Sequence, residues 1–250
     1  MSRYDDPAYV SDYTAHWAPY LERLTALLAS RVCSHIRSDS VVVDLGAGTG
    51  GLTHQLMECG PARVIAVEPS RQMSTQIGIG PNLEVLNCGA DSPSVGPDDS
   101  ADIVAIGFLL QELPASEVTG VFRNVKRILK PGGRLFVLAW PKPLNDQQNP
   151  WEEAARTCLP AREEDPDPPT QIDPEQVAVF AAEAGFETVE ADRLFESLRI
   201  TRGDFLHYQA RKAVPGGGEE LELALSDLQR MLPSGDPVID YEMSSYCGLA

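Results

Sequence analysis

The sequence predicts an α/β fold in which a mostly parallel sheet is covered by helices on both faces. Runs of Val, Ile and Leu without polar alternation recur along the first 140 residues, and helical stretches separate them. A glycine-rich turn follows the first run, in VVVDLGAGTG at residues 41–50. A buried strand, a glycine turn and a helix in this order are typical of sheets that bind a ligand at the carboxyl ends of their strands.

Apolar spacing predicts the individual elements in the first half of the chain. Leucine and valine recur at helical intervals over residues 18–36, which predicts an amphipathic helix before the first strand. Pro131, Gly132 and Gly133 mark a turn between a helix that ends at Lys130 and the next strand. The predicted strands span residues 41–44, 64–68, 83–86, 103–106 and 134–140, and the predicted helices span 51–59, 70–77 and 115–129.

The pattern changes past the fifth predicted strand. Residues 141–173 are rich in Pro, Asp, Glu and Gln, and a connection of this length predicts a lid or a mobile loop, with one short helix near 151–159. Asp173 and Pro174 suit the N-cap and the first position of a helix that ends at Gly185. The remaining predicted elements are strands at 186–190 and 194–200, helices at 202–213 and 219–232, and a last strand at 238–246.

A length of 250 residues leaves room for one large α/β domain with insertions rather than for two full domains. We therefore expect a single domain over residues 1–250. Its predicted parts are an N-terminal helical cap at 1–38, a ligand-binding core at 39–140, and substrate-lid insertions at 141–173 and 202–235.

Charge and cysteine content limit the partners and the compartment. The 37 acidic and 20 basic residues give a formal net charge of −17, which disfavours nucleic acid as a partner. The five cysteines are scattered without a C-x-x-C pair, which argues against a disulfide framework or a structural zinc site. Because no signal peptide or membrane-spanning run is evident, we expect a cytoplasmic protein without a membrane partner.

The glycine turn carries the main evidence about the ligand. Gly46, Gly48 and Gly51 fit the G-x-G-x-x-G spacing of dinucleotide sites, but this spacing alone does not identify the ligand. Asp44 stands at the strand tip just before them, where its carboxylate would repel a pyrophosphate. S-adenosylmethionine, which has a sulfonium and an ammonium but no phosphate, suits this carboxylate better. Glu68, at the end of the second strand, stands where an acid accepts hydrogen bonds from ribose hydroxyls.

Four segments in the same order resemble the class I S-adenosylmethionine-dependent methyltransferases of the small-molecule type. They are VVVDLGAGTG, AVEPS, GFLLQELP and RILKPGGRLFVLAW, within residues 41–140. The resemblance implies a Rossmann-like seven-stranded sheet with the order 3-2-1-4-5-7-6 and with strand 7 antiparallel. It also implies an S-adenosylmethionine-binding core at 39–140 and a small molecule as methyl acceptor.

The resemblance further implies which residues contact the cofactor. Asp44 would face the methionine end and Glu68 the ribose, while Asp91, in CGADS, stands one position after the acid that the family commonly places near the adenine. The implied cofactor-binding residues are Tyr13, Asp44, Gly46, Ala47, Gly48, Glu68, Pro69, Asp91, Gly107 and Phe108.

Methyl transfer from a sulfonium requires mainly alignment and a dry pocket, without a metal. A base is needed only if the acceptor loses a proton, and the candidates are His16, Glu112 and His207. Several small-molecule relatives carry two histidines where this chain has Gln111 and Glu112, so a histidine base is absent there.

Three functions remain open at this level. The first is methyl transfer to an O, N or C atom of a small molecule. The second is a non-methylating reaction, such as a cyclisation, that uses bound S-adenosylmethionine. The third is an NAD-dependent oxidoreductase, which Asp44 and the lack of a Tyr-x-x-x-Lys pair disfavour.

Overall fold

A computed structural model of the chain describes residues 3–140, 150–159, 173–214 and 216–250. The strands are β1 Val41–Leu45, β2 Arg63–Val67, β3 Leu83–Leu86, β4 Ala101–Gly107, β5 Leu129–Ala139, β6 Glu187–Arg199 and β7 Val238–Leu249. The helices are α1 Pro7–His16, α2 Ala18–Cys33, α3 Gly51–Glu58, α4 Arg71–Ser74, α5 Ala115–Ile128, α6 Pro150–Cys158, α7 Pro174–Glu183, α8 Arg202–Ala213 and α9 Glu219–Met231.

The strands form one seven-stranded sheet with the order β3-β2-β1-β4-β5-β7-β6. β1 to β5 pair in parallel, and β7 runs antiparallel between β5 and β6. The predicted fold class and strand order are therefore confirmed. Because β1 lies in the middle of the sheet, Val42, Val43 and Leu45 are buried on both of its faces, as a run of apolar residues without alternation requires.

Helices cover both faces of the sheet. On one face α2 packs against the sheet and α3 through Leu24, Leu28 and Val32, in a core that also includes α8 and α9. On the other face α5 contributes the fully buried Phe122 and Val125. Each such side chain stabilises the fold by ~1.5–3 kcal/mol relative to an exposed one. This burial fixes the carboxyl ends of β1, β2 and β4 at one edge of the sheet.

Two boundary predictions are wrong. The strands predicted at 186–190 and 194–200 are the single strand β6, which pairs along the whole of β7 with one irregularity between Thr188 and Glu190. At an edge of the sheet, the three residues between them, Ala191, Asp192 and Arg193, are exposed while their backbone pairs with β7. The helix predicted to end at Lys130 ends at Ile128, and the PGG turn is an irregular part of β5.

The cysteine prediction also needs a correction. Cys33 and Cys59 form a disulfide whose Cα atoms lie 5.6 Å apart, and it joins the ends of α2 and α3. The two residues stand 26 positions apart, and only the packing of α2 against α3 brings them together. Cys88, Cys158 and Cys247 are free thiols.

The described residues contain neither a metal-binding cluster nor a membrane-spanning helix. In those ranges, no group of three His, Cys, Asp or Glu side chains is arranged to hold a metal ion. In the same ranges, no helix combines the length and apolar character that crossing a membrane needs.

The predicted lid segments are described to different extents. Residues 141–149 and 160–172 lie outside the described residues, and the helix predicted near 151–159 is α6. The segment predicted at 202–235 forms α8 and α9, and one side chain of α8 reaches the cavity described next. The lid role of both segments stays a prediction.

Candidate cofactor and substrate site

A cavity of about 420 Å³ lies at the carboxyl ends of β1, β2 and β4. Its floor is the glycine turn after β1 and the ends of β2 and β4, its wall includes one side of α2, and its roof is the N-terminal segment up to α1. Small-molecule sites occupy ~300–1,000 Å³ and are favoured at this edge of an α/β sheet. Nine of the sequence-predicted cofactor residues line it: Tyr13, Asp44, Gly46, Ala47, Gly48, Glu68, Pro69, Gly107 and Phe108.

The glycine turn requires glycine for two reasons. Gly46 and Gly48 have φ values of +75° and +57°, in the left-handed region that other residues rarely adopt. A Cβ atom on Gly46 would also lie 2.9 Å from the Cβ of Leu109, so the turn packs directly against the loop after β4. The amides of Gly46 and Ala47 both donate to the carbonyl of Val67, at 2.9 and 3.0 Å, which ties the turn to β2.

Asp44 is almost completely buried at the tip of β1. Its Oδ2 accepts a hydrogen bond from Thr53 Oγ1 of α3 at 2.6 Å. Burial raises the pKa of Asp44 to about 7, and the nearby Glu68 charge adds to this rise, while the Thr53 hydrogen bond opposes it. A nearby cation would stabilise the ionised form of this carboxyl group. The site therefore favours a positively charged ligand at Asp44.

Glu68 is held by two backbone amides. Gly48 N donates to its Oε2 and Ser70 N donates to its Oε1, both at 2.9 Å. Burial nonetheless keeps the pKa of Glu68 above its usual value. A carboxylate has about four acceptor positions, so two stay available for a pair of adjacent hydroxyl groups such as those of ribose. The free acceptor positions of Glu68 fit the hydroxyl groups in the nucleoside part of S-adenosylmethionine.

The end of β4 bends sharply beneath the cavity. Phe108 has a φ of +55°, an uncommon conformation for a residue other than glycine, which costs roughly 1–3 kcal/mol. Its amide donates to Leu138 O at 2.7 Å and its carbonyl accepts from Gln111 Nε2 at 2.5 Å, so the bend is fixed on both sides. Its ring stacks on Trp140 with centroids 4.4 Å apart. The strained bend thus places an aromatic side chain in the cavity lining.

The roof of the cavity is a cluster of tyrosines closed by an ion pair. The rings of Tyr9 and Tyr13 meet the ring of Tyr4 edge to face, at centroid distances of 5.7 and 6.2 Å. Arg3 Nη2 donates to Glu112 Oε2 at 2.9 Å and to Tyr4 Oη at 2.9 Å. Ser70 Oγ donates to the Tyr4 carbonyl at 2.5 Å. The N-terminal segment is thereby attached to the ends of β2 and β4.

Sequence reasoning missed part of this roof and the facing wall. Arg3, Tyr4 and Tyr9 line the cavity, and Trp17 stacks on Tyr208 of α8 with centroids 3.8 Å apart. A signal was present, because Tyr9, Tyr13 and Trp17 recur every four residues and so share one side of a helical segment. Arg3 and Tyr4 carry no such pattern and could not be found from spacing.

Of the predicted catalytic residues, only Glu112 lines the cavity. His16 and His207 lie outside it and stack on each other with centroids 4.3 Å apart. His16 Nδ1 is 2.7 Å from Asp204 Oδ1, and Tyr20 Oη donates to Asp204 Oδ2 at 2.6 Å. These contacts join α1 and α2 to α8, which gives both histidines a structural setting. Their catalytic role stays a prediction.

Asp91 also lies away from the cavity lining. Its loop is fixed from α5, where Asn124 Nδ2 donates to the carbonyls of Ala90 and Ser92 at 2.8 and 3.0 Å. The contact of Asp91 with the cofactor stays a prediction.

Comparison with known proteins agrees with this geometry. The sequence profile of the family described as "Methyltransferase domain" matches residues 42–133, which contain the glycine turn, Glu68 and the bend at Phe108. A putative methyltransferase from Bacillus halodurans has a similar structure, with a TM-score of 0.61 and 16% identity over 89% of this chain and 97% of that one. Over residues 42–133 the chain is similar to the methyltransferase-domain family, and its fold is that of class I S-adenosylmethionine-dependent methyltransferases. Its sheet order and antiparallel β7 are those expected for the family.

Two further relatives show how far the family likeness extends. The ubiquinone/menaquinone biosynthesis C-methyltransferase UbiE of Enterobacter sp. (strain 638) is 33% identical over 121 residues, covering 45% of this chain and 47% of that protein. The chain thus matches about half the length of these curated relatives. The structure of the [4+2]-cyclase SpnF has a TM-score of 0.59 with 18% identity, over 91% of this chain and 80% of that one. At this identity the likeness concerns the fold alone.

Proposed function

We propose that this methyltransferase-family chain transfers the methyl group of S-adenosylmethionine to a small-molecule acceptor in the cavity above β1, β2 and β4. The observation that carries the proposal is the pair of buried carboxylates, Asp44 and Glu68, on the two sides of one glycine turn. A phosphate-bearing cofactor would meet both charges, whereas a cationic, phosphate-free donor is attracted by them.

The residues present divide the work of binding. Glu68 would accept from the ribose hydroxyls, and Asp44 would face the ammonium of the methionine part, with Gly46 and Gly48 allowing close approach of the backbone. Phe108, fixed by its strained bend, would lie beside the sulfonium, where the face of an aromatic ring favours a cation. When bound, the donor supplies a methyl group already activated by the positive sulfur.

The remaining contribution of the protein is alignment and exclusion of water. The roof of Tyr4, Tyr9 and Tyr13 covers the floor that holds the donor, and it closes through the Arg3–Glu112 ion pair. Holding two reactants in line converts a bimolecular reaction into one within a single complex, which supplies a large part of the rate enhancement. A dry cavity also strengthens the electrostatic contacts with the donor.

Calorimetry with S-adenosylhomocysteine, the demethylated product, tests the cofactor part of the proposal. We expect one molecule bound per chain and no comparable binding of NADH. Glu68→Gln removes a charged acceptor, which costs about 2 kcal/mol and weakens binding roughly thirtyfold. Asp91→Asn is a matched control that we expect to change affinity less than twofold, because Asp91 does not line the cavity. Tight NADH binding without S-adenosylhomocysteine binding would refute the proposal.

Donor consumption then separates transfer from the non-methylating alternative. With S-adenosylmethionine and an acceptor present, we expect one S-adenosylhomocysteine released for each product formed, measured by mass spectrometry. An acceptor converted over many turnovers without donor consumption would instead support a cyclase-type reaction.

A further inference from the structure

We propose that the methyl acceptor is an amine, whose nitrogen becomes a methylammonium within the cavity. This inference rests on the proposed function and names the substrate class of the same site. Three independent properties of the described lining carry it: its aromatic rings, its excess of carboxylates and the absence of a suitable base.

The cavity lining contains two stacked pairs of aromatic rings. Trp17 stacks on Tyr208 and Phe108 on Trp140, at 3.8 and 4.4 Å between centroids, and Tyr241 lies behind Trp140 at 4.9 Å. Ring faces carry partial negative charge, and several of them around one space form the arrangement by which proteins recognise ammonium groups. Rings that are already packed against each other need no reordering to do so.

The charges in the cavity favour a cation more strongly than the donor alone requires. Glu22, Asp44, Glu68 and Glu112 line the cavity, while Arg3 is the single basic side chain among the described lining residues. Arg3 is balanced by Glu112 at 2.9 Å, so it offers little charge to an anion. An anionic acceptor such as a phenolate, an enolate or a carboxylate would add negative charge beside these groups. An amine gains from them instead.

The lining also lacks a base for an acceptor that must lose a proton. Among the described residues that line the cavity there is no histidine, lysine or cysteine. Burial holds the pKa of Tyr4, Tyr13 and Tyr208 above the usual tyrosine range, so their hydroxyl groups stay protonated. Glu112 accepts from Arg3 and from Tyr4 Oη. Among the described lining residues, a phenol or alcohol would meet only carboxylates, which are weak bases toward either group.

An amine needs no base at the moment of transfer. An amine that enters as an ammonium first releases its proton to water, and the neutral amine then forms the new N–C bond with its lone pair, while the C–S bond breaks and its electrons go to sulfur. The positive charge moves from sulfur to nitrogen, so the cavity holds one positive charge before and after the step. The methylammonium then releases its extra proton to water. The aromatic rings and carboxylates that suit a sulfonium suit this product equally.

The decisive experiment compares a cation with its neutral isostere. Choline and 3,3-dimethyl-1-butanol have the same shape and differ in one charge, and their affinities are measured by calorimetry with S-adenosylhomocysteine saturating. We expect choline to bind at least tenfold more tightly. Trp140→Leu should remove most of this preference and Trp140→Phe should keep it, while Phe195→Leu, at an exposed ring outside the cavity, serves as the control. Two results would overturn the inference. One is an equal affinity for choline and for its isostere, and the other is no choline binding at a concentration tenfold above that of the isostere.

Turnover on one scaffold gives the second readout. Phenethylamine, 2-phenylethanol and 4-ethylphenol are compared for S-adenosylhomocysteine release, and we expect the amine to react at least tenfold faster. Faster release with the alcohol or the phenol would overturn the amine inference while leaving methyl transfer intact. Failure of S-adenosylhomocysteine to bind at all would instead overturn the proposed function.

Discussion

The pKa of Asp44 predicts how donor binding depends on pH. Asp44 is buried, its pKa is raised to about 7, and its ionised form is the one that suits an ammonium. For a group with this pKa the ionised fraction falls about tenfold between pH 8 and pH 6. We therefore expect S-adenosylhomocysteine to bind about tenfold more weakly at pH 6 than at pH 8, which corresponds to ~1.4 kcal/mol.

Two variants connect this change to Asp44. Asp44→Asn should bind weakly and nearly independently of pH, with a small residual slope because the pKa of Glu68 is also raised. Thr53→Val removes the hydrogen bond that favours the ionised form, so the inflection should move to higher pH. Calorimetry at half-unit pH intervals measures both effects. Equal wild-type affinity at pH 6 and pH 8, or the full slope in Asp44→Asn, would refute the reasoning.

The stability of the free protein should show the opposite trend. A carboxyl group whose pKa is raised in the folded state contributes stability that is complete below its unfolded pKa and is lost as pH rises through about 7. The loss amounts to about 4 kcal/mol when the full shift is counted. Asp44→Asn avoids it, so this variant should unfold at higher urea concentration than wild type at pH 8 and gain no such advantage near pH 4. If the urea midpoints of the two proteins differed by the same amount at pH 8 and near pH 4, the predicted direction of the pH effect would be wrong.

Three further outcomes follow from contacts in the structure. Gly46→Ala places a Cβ 2.9 Å from a neighbouring side-chain atom at φ +75°, and we expect it to abolish S-adenosylhomocysteine binding in calorimetry and to lower stability by ~1–3 kcal/mol. Arg3→Ala breaks the ion pair between Arg3 and Glu112, whose side chains are 21% and 40% exposed respectively. We expect the free energy of unfolding in urea to fall by less than ~1 kcal/mol and the ligand to leave faster in stopped-flow. An unchanged release rate would contradict the closing role of the roof. The Cys33–Cys59 disulfide closes a loop with a sequence separation of 26. Opening it, by reduction or by Cys33→Ser, should lower the free energy of unfolding by about 3–4 kcal/mol. The urea midpoint with and without reductant measures this loss.

The central half of the fold could be predicted because its signals are local. The uninterrupted apolar runs exist because β1, β2 and β4 are buried on both faces, and the glycines stand where the backbone takes positive φ. The sheet order came from the resemblance, not from these patterns. The sequence could predict that Asp44 and Glu68 lie beside one binding site, because the parallel strands that carry them end at the same edge of the sheet.

The other parts depend on contacts between distant segments. The Cys33–Cys59 bond arises from the packing of two helices, and the Arg3–Glu112 pair joins positions 109 residues apart. The stacking of His16 on His207 outside the cavity likewise follows from how α1 meets α8. None of these has a periodic signature. A single edge strand was mistaken for two because the exposed residues Ala191, Asp192 and Arg193 interrupt its apolar pattern.

The antiparallel pair of β6 and β7 extends beyond the end of β5, since β5 pairs with β7 only as far as Ser244 whereas β6 continues to pair with it down to Val238. This projecting arm supplies Tyr241, which supports the ring of Trp140, and it lies wholly outside the region shared with the family profile. Trp140 and Tyr241 thus lie outside the stretch of sequence that contains Asp44 and Glu68. We expect chimeras that exchange only this arm between homologues to change the choice of acceptor and to keep the donor site.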